Sequence, residues 1–577
     1  YIMTKRITLF RIESMQIRIL LLFVLSMTIN LMSYDRVTGE DFASRSEVIS
    51  TNGMVATSHP LATQIGLDIL KSGGNAIDAA IAANIALGLM EPTGNGIGGD
   101  LFAIIWDQKT QKLYGLNASG PAPINLSIEY FKKNNLQKIP SYGPLPVTVP
   151  GAVDGWIKMH ERFGLIQFSD LFKPTIDYAR EGFPITETIA YYLQLSSERF
   201  ASYSNFKEVW MPNNKTLSKG DIFKNPLLAK TLEEISKSKR KSFYEGEIAK
   251  LMSDFIKEQG GFLSQDDLAN YSAEWVEPVS SNYRGYDVWE LPPNSQGIAA
   301  LQILNILENF DVKDMGLFSH EYIHHFVEAK KLAFEDRAKY YADPNFNAID
   351  TDYLISKDYA LKRTKLINKS KSLSRIDAGN LKDGDTIYLT TADKFGNMVS
   401  LIQSNYRGMG SGMVPPNSGF MLQDRGELFS LDKNHANALV GGKRPFHTII
   451  PAFITKDNKP FVSFGVMGGG TQPQAHAQIV INLIDFELNL QEAGDAPRIV
   501  HTGSSQPTDE IMIDGGLVNL ESGFNLNIQA NLIKYGHKMG NEKNGKGIFG
   551  GYQAIMIKDG VYYGASESRK DGHAAGY

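Results

Sequence analysis

Residues 383–404 read DGDTIYLTTADKFGNMVSLIQS and carry the strand pattern on which the fold is built. Thr386 to Ala392 is β-branched and aromatic, Asp393 to Gly396 supplies turn residues, and Asn397 to Ser404 returns to a strand pattern. Two such runs around a short turn predict a β-hairpin. Thr386 is the first residue of the first strand, directly after the turn residues Asp383-Gly384-Asp385. Upstream, Lys357 to Lys382 is rich in Lys and Ser with little apolar periodicity, and reads as an exposed, mobile linker. Downstream, Gly468-Gly469-Gly470 separates a strand at Phe461 to Val466 from a helix at about Gln472 to Phe486. Strand, glycine turn and helix in that order leave backbone N–H groups unpaired at the turn, which is how an oxyanion is held.

Composition narrows the chemistry. The 577 residues are 42% hydrophobic and 21% charged, ample for a large core. A net charge of −5 argues against a nucleic-acid partner, which calls for a basic surplus. There is no cysteine, which excludes disulfides, cysteine-ligated zinc, iron–sulfur clusters and a thiol nucleophile. The nucleophile must be an oxygen, a nitrogen or a metal-bound water. A hydrolase that cuts its own Asp385–Thr386 bond meets this condition. Its freed Thr386 α-amine, with an ordinary pKa of about 7.7–8.0, is the base for its own hydroxyl. Such a design needs no cofactor and no metal.

Read from Met15, MQIRILLLFVLSMTINLMS has a short basic start and an apolar run from Ile19 to Ile29. That run is too short to span a bilayer and predicts a signal peptide over about 15–33 within a leader of residues 1–42, hence a periplasmic or secreted protein. No later segment predicts a membrane span. Residues 61–90 carry two helices split by Ser72-Gly73-Gly74, the second buried on every face, and Leu101 to Trp106 reads as a buried strand. Residues 150–270 read as mostly α, and the chain from Thr386 onward as strand-rich.

Two motif matches mislead. His320-Glu321-Tyr322-Ile323-His324 fits the HExxH zinc signature, but the metzincin extension is missing, since Val327 and Lys330 stand where Gly and His would be. An amphipathic helix capped by Ser319 is the simpler account. A zinc peptidase using His320 and His324 is therefore the runner-up function. Gly94-Asn95-Gly96-Ile97-Gly98-Gly99 has GxGxxG spacing, but a dinucleotide fingerprint runs strand, glycines, helix, and here the helix comes first. These glycines predict a sharp turn or close backbone packing beside a site.

The chain resembles the γ-glutamyltransferase (glutathione hydrolase) family in its proenzyme form. The resemblance rests on GGNAIDAA at 73–80, GIGGDLF at 96–102, VPGAVDGW at 149–156, EAKKLAFEDR at 328–337, GDTIYL at 384–389, GKRPFHTIIPA at 442–452, GVMGGG at 465–470 and RKDGHAAGY at 569–577. It implies an α+β fold, the four-layer αββα sandwich of N-terminal nucleophile hydrolases. It also implies self-cleavage into a large chain, 43–385, and a small catalytic chain, 386–577, intertwined as one domain. Position by position, Thr386 matches the family nucleophile and Gly468 and Gly469 its oxyanion pair. Ser404 stands where the family has a second threonine that hydrogen-bonds the nucleophile.

The donor pocket departs from well-known members. The arginine that clamps the substrate α-carboxylate is Ser119 here. The aspartate for the α-amino group falls near Leu428, with Glu427 and Asp424 close by. An asparagine is replaced by Tyr406, a serine pair by His447-Thr448, and Leu431 to Lys443 is too short for the lid of some members. Losing a bidentate guanidinium removes the strongest specific contact for a carboxylate. The expected enzyme is an amidohydrolase or acyltransferase acting on γ-glutamyl amides such as glutathione, or on related acyl amides, with water or an amine as acceptor. The alternative is a glutaryl-type acylase, and a degenerate, unprocessed binding protein ranks below both.

Overall fold

Strands Asp385–Ala392 and Met398–Tyr406 pair antiparallel as the hairpin pattern predicts. In the turn, Asp393 Oδ1 accepts from the backbone N–H groups of Phe395 (2.8 Å) and Asn397 (3.0 Å). Gly396 there takes a φ of 93°, which glycine adopts without a Cβ clash. The structure is a computed structural model that describes residues 36–374, 385–541 and 547–577. The signal peptide expected at about 15–33 lies outside the described residues. The chain divides into a unit Tyr1–Ala43 and a unit Ser44–Tyr577. In the first, the described residues hold a turn in which Ala43 N–H donates to the Glu40 carbonyl at 3.1 Å.

Among the described residues, Ser44–Tyr577 is built on two seven-stranded sheets. The first runs His573–Gly576, Met54–Thr57, Asp385–Ala392, Met398–Tyr406, Asp100–Asp107, Lys112–Ala118, Glu274–Val276. The second runs Val48–Ser50, Val561–Ser566, Gly551–Lys558, Lys459–Met467, Ala452–Lys456, Tyr286–Glu290, Val279–Tyr283. Every pairing in both is antiparallel.

Period-two alternation separates the layers. Ile387, Leu389, Val399 and Leu401 pack outward against the helices Pro60–Lys71 and Ala76–Met90. Tyr388, Ala392, Met398 and Ile402 point inward to join Phe453, Met467 and Ile555 of the opposite sheet. On that sheet's outer face, Ala452, Ile454, Val462 and Phe464 pack against helices Ile298–Leu307, His320–Tyr340 and Gln472–Ile484. Helix, sheet, sheet, helix is the αββα sandwich. Both faces of both sheets are covered, which is why the strands read as nearly continuous apolar runs.

One expectation is corrected. The stretch from Lys357 begins with a helix, Lys357–Thr364, not a mobile linker. It carries a single buried residue, Ala360, so it shows no apolar stripe. Polar contacts hold it instead: Ser356 caps it, Arg363 donates to the Leu332 carbonyl at 2.8 Å, and Lys357 donates to Glu308 at 2.5 Å.

Candidate active site

Thr386 shares the inward-facing register of Tyr388 and Thr390, at the end of its strand. The ladder with Met398–Tyr406 is irregular there. Asp385 pairs with Tyr406 and Ile387 with Gln403, so Ser404 and Asn405 together oppose Thr386. This is a β-bulge, a device that re-aims side chains. Thr386 is buried, and its Oγ1 donates to Ser404 Oγ at 3.3 Å. Ser404 Oγ also accepts from the Tyr406 backbone N–H at 2.8 Å, and Tyr406 itself sits at φ 76°. Two local features thus fix the hydroxyl that faces Thr386.

The loop of residues 94–99 packs against this bulge. A Cβ on Gly94 would lie 3.2 Å from the Thr386 carbonyl, and one on Gly99 2.6 Å from the Ser404 carbonyl. A Cβ on Gly98 would meet the Met421 carbonyl oxygen at 2.0 Å. Close backbone approach, not a left-handed φ, is what requires glycine at these positions.

The second glycine run meets the same end of the sandwich. Thr390 Oγ1 lies 2.8 Å from Ser463 Oγ, and Gly465 faces the ring of Tyr388. Met467 and Gly468 follow Gly465 at the end of this strand. Gly468 has φ 130° and Gly469 φ 51°, opening a short 3-10 turn before helix Gln472–Ile484. Gln296 anchors this turn: its Nε2 donates to the carbonyls of Gly469 (2.9 Å) and Thr448 (2.5 Å), while its Oε1 accepts from Arg337 Nη1 at 2.7 Å.

A buried charged group lies alongside. Asp100 stands opposite Ser404 in the ladder. Its Oδ1 accepts from the backbone N–H of Gly120 (3.1 Å) and Gly151 (3.2 Å) and from Gln423 Nε2 (2.9 Å), and its Oδ2 lies 3.0 Å from His447 Nε2. Burial pushes the Asp100 carboxyl up to about 7 and holds the His447 imidazole well below its ordinary value. The pair joins several loops through hydrogen bonds. Nearby, Arg407 forms a bidentate pair with Glu427 (2.5 and 2.7 Å), which also accepts from Ser141 at 2.7 Å. A cavity of about 250 Å³ opens against Tyr406, Arg407, Glu427 and Leu428.

Residues 62–577 match the family model for gamma-glutamyltranspeptidase. The chain belongs to that family. It is 37% identical over 455 residues to the glutathione hydrolase-like YwrD proenzyme of Bacillus subtilis (strain 168), covering 78% of this chain and 86% of the relative. It is 33% identical over 534 residues to the acylase ACY 1 proenzyme of Pseudomonas sp. (strain SE83), covering 90% and 93%. The crystal structure of cephalosporin acylase from Bacillus halodurans superposes with a TM-score of 0.86 at 42% identity, over 95% of this chain and 99% of that one. This γ-glutamyltranspeptidase-family chain is thus an autoprocessed amidohydrolase or acyltransferase with the N-terminal nucleophile hydrolase fold.

The residues that the resemblance places at the donor pocket have distinct surroundings. Ser119 is buried, with Oγ donating to Asn117 Oδ1 at 2.7 Å and accepting from Asn294 Nδ2 at 3.2 Å. Tyr406, Arg407 and Glu427 line the cavity, His447 pairs with Asp100, and Thr448 Oγ1 accepts from Arg425 Nη1 at 2.7 Å. The side chain of Asp385 lies outside what the structure describes. Gln296, Arg337, Asp100 and Arg425 were not expected from the sequence. Asp424-Arg425-Gly426-Glu427, charges within otherwise apolar flanks, was the available signal for Arg425.

The zinc reading is overturned by geometry. Ser319 caps helix His320–Tyr340, accepting from Tyr322 N–H at 3.0 Å, as the simpler account expects. His324 Nδ1 contacts His537 Nε2 at 2.7 Å and its Nε2 contacts the Asn368 carbonyl at 2.6 Å, whereas His320 Nε2 faces Tyr535 at 3.4 Å. The metal-ligand grouping found among the described residues is His324, Glu328 and His537, without His320. There, Glu328 is already neutralised by the buried Lys331 at 2.8 Å. Among the described residues no helix is long and apolar enough to cross a membrane.

Proposed function

We propose that the Asp385–Thr386 bond is cut to give chains 43–385 and 386–577, and that Thr386 then cleaves acyl amides. The Thr386 α-amine takes the hydroxyl proton as Oγ1 bonds to the acyl carbonyl carbon. The N–H groups of Gly468 and Gly469 hold the resulting oxyanion. The C–N bond breaks, the proton passes to the departing amine, and an acyl ester remains on Thr386. Water or an amine acceptor then releases the acyl group and restores the hydroxyl. Ser404 Oγ orients the nucleophile. The observation that carries this reading is the Thr386–Ser404 hydrogen bond at the bulge.

The donor differs from a free γ-glutamyl group. Ser119 offers no guanidinium, and Glu427, a carboxylate near the family's ammonium-reading position, is engaged by Arg407 and Ser141. Glutathione is therefore a weak donor, and acyl groups lacking an α-amino group are accepted, in keeping with the acylases among its relatives. Small-molecule amides are the substrates. Export rests on the apolar run at Ile19 to Ile29, and cell fractionation tests it. Intact mass with N-terminal sequencing is expected to find a fragment beginning at Thr386. Initial rates on glutaryl and γ-glutamyl anilides test the donor; a strong preference for the γ-glutamyl compound contradicts it.

A further inference from the structure

Four arginines surround the catalytic end, and their pairing differs. Arg407 forks onto Glu427. Arg444 donates to the Ser119 carbonyl at 3.0 Å and pairs with Glu274 at 3.1 Å. Arg337 donates to Gln296, Gln506 and the Ser505 carbonyl. Arg425, fully buried, makes one hydrogen bond, from Nη1 to Thr448 Oγ1, while its Nε and Nη2 have no partner among the described residues. Each unpaired donor on a buried charge is costly, so such a group is normally satisfied by an anion.

The two unpaired nitrogens are the informative ones. Nε and Nη2 lie on the same edge of the guanidinium plane and form the side-on fork that matches the two oxygens of a carboxylate. The rest of the group is held in place by Thr448 at Nη1 and by the Tyr406 ring, whose centroid lies 4.7 Å from the guanidinium carbon. Asp100 is the carboxylate that acts on it most strongly, yet both Asp100 oxygens are occupied by Gly120, Gly151, Gln423 and His447. Burial pushes the Arg425 pKa down to about 10, so it is still cationic at neutral pH.

Arg425 also lies between the two halves of the machinery. On one side Tyr406 follows the bulge, its N–H on Ser404 Oγ and hence next to Thr386. On the other, Thr448 shares Gln296 with Gly469. A carboxylate on this fork belongs to a molecule whose other end reaches Thr386.

We propose that Arg425 is the clamp for a carboxylate at the far end of the acyl group, so that the preferred donors are half-amides of short dicarboxylic acids. This rests on the amidohydrolase reading of Thr386 and replaces, from the short 3-10 turn Arg425–Leu428, the guanidinium missing at Ser119.

The test compares wild type, Arg425→Gln and Arg425→Lys on a matched pair of anilides, glutaryl and butyryl. Appearance of a chain beginning at Thr386 certifies that each variant has folded. In Arg425→Gln the glutaryl-to-butyryl ratio of kcat/KM is expected to fall about 100-fold or more. Arg425→Lys, which keeps the charge but not the fork, is expected to fall about 10-fold, and it carries the test if the Gln variant does not fold. A ratio that stays at the wild-type value overturns the clamp. If wild type turns over neither anilide, the donor reading fails separately. Calorimetric titration of free glutarate then decides: binding lost in Arg425→Gln upholds the clamp, and equal or absent binding overturns it.

Discussion

The Thr386 end of the sandwich, where we place bond cleavage, and the wall beside it are built from different materials. Around Thr386 the parts are backbone, hydroxyls and glycines: a bulge, Ser404, the loop 94–99 and the Gly468–Gly469 turn. Precision there comes from close backbone approach, which tolerates little change. The wall from Asp100 to His447 is built of ionisable groups, buried or half-buried, with Arg407 on Glu427, His447 on Asp100 and, among the described residues, Arg425 hydrogen-bonded to Thr448 alone. In the proposed mechanism the neutral backbone device serves any acyl amide, whereas the wall selects among them. A family can thus keep one chemistry and change its donors by re-pairing a few buried charges.

Replacing Thr386 strikes hardest at the first region. Thr386→Ala is expected to run as one uncut band on a denaturing gel and to lose activity at least about 1000-fold; two chains and retained hydrolysis would erase the distinction between the regions. Next comes Gly98→Ala, whose Cβ would meet the Met421 carbonyl oxygen at 2.0 Å. A loss of about 3 kcal/mol is expected in denaturant unfolding, with impaired processing. Unchanged stability would show that the loop yields, and that close approach is not what demands glycine. Gln296→Ala frees the carbonyls of Gly469 and Thr448, and kcat is expected to drop about 10-fold with KM little altered. A change in KM alone would move Gln296 to the selective side.

Two further effects probe the wall. Arg407→Ala releases Glu427 to read an ammonium, so the γ-glutamyl-to-glutaryl rate ratio is expected to rise several-fold; no rise means Glu427 does not face the donor. Asp424 tests the electrostatics. Burial pushes its carboxyl up to about 7, so its contribution to stability is present below the ordinary aspartate range and lost as pH rises through about 7. Relative to Asp424→Asn, wild type is expected to lose about 4 kcal/mol between pH 4 and 8. A relative gain would show that Arg407 and Arg425 stabilise the anion more than burial opposes it.

Much of this was legible in the chain itself. The hairpin at 385–406, the buried helix Ala76–Met90 and the strand at Asp100–Asp107 all announce themselves by apolar pattern and turn residues, because local propensity and burial agree there. The order helix, glycines, strand around 94–99 is also as the sequence reads, with helix Ala76–Met90 before and strand Asp100–Asp107 after. Helix Lys357–Thr364 was missed, since polar contacts to distant residues hold it and leave no periodic signal. Gln296 and Asp100 escaped notice for a related reason. Each is an ordinary polar residue whose significance lies in partners more than 100 residues away, such as Gly469 and His447.

What the sequence by itself determined is the chemistry: no thiol, a threonine opening a strand, and glycines where backbone must approach backbone. These follow from residue type and local order, which survive without knowledge of the fold. The pairing of the buried charges was decided only by the tertiary structure. Arg337, Arg407, Arg425 and Arg444 are alike in one dimension, and only three-dimensional packing settles which of them are satisfied and which presents an open fork. Desolvation makes that difference matter, since a guanidinium indifferent to its neighbours in water becomes a selective carboxylate reader once water is excluded.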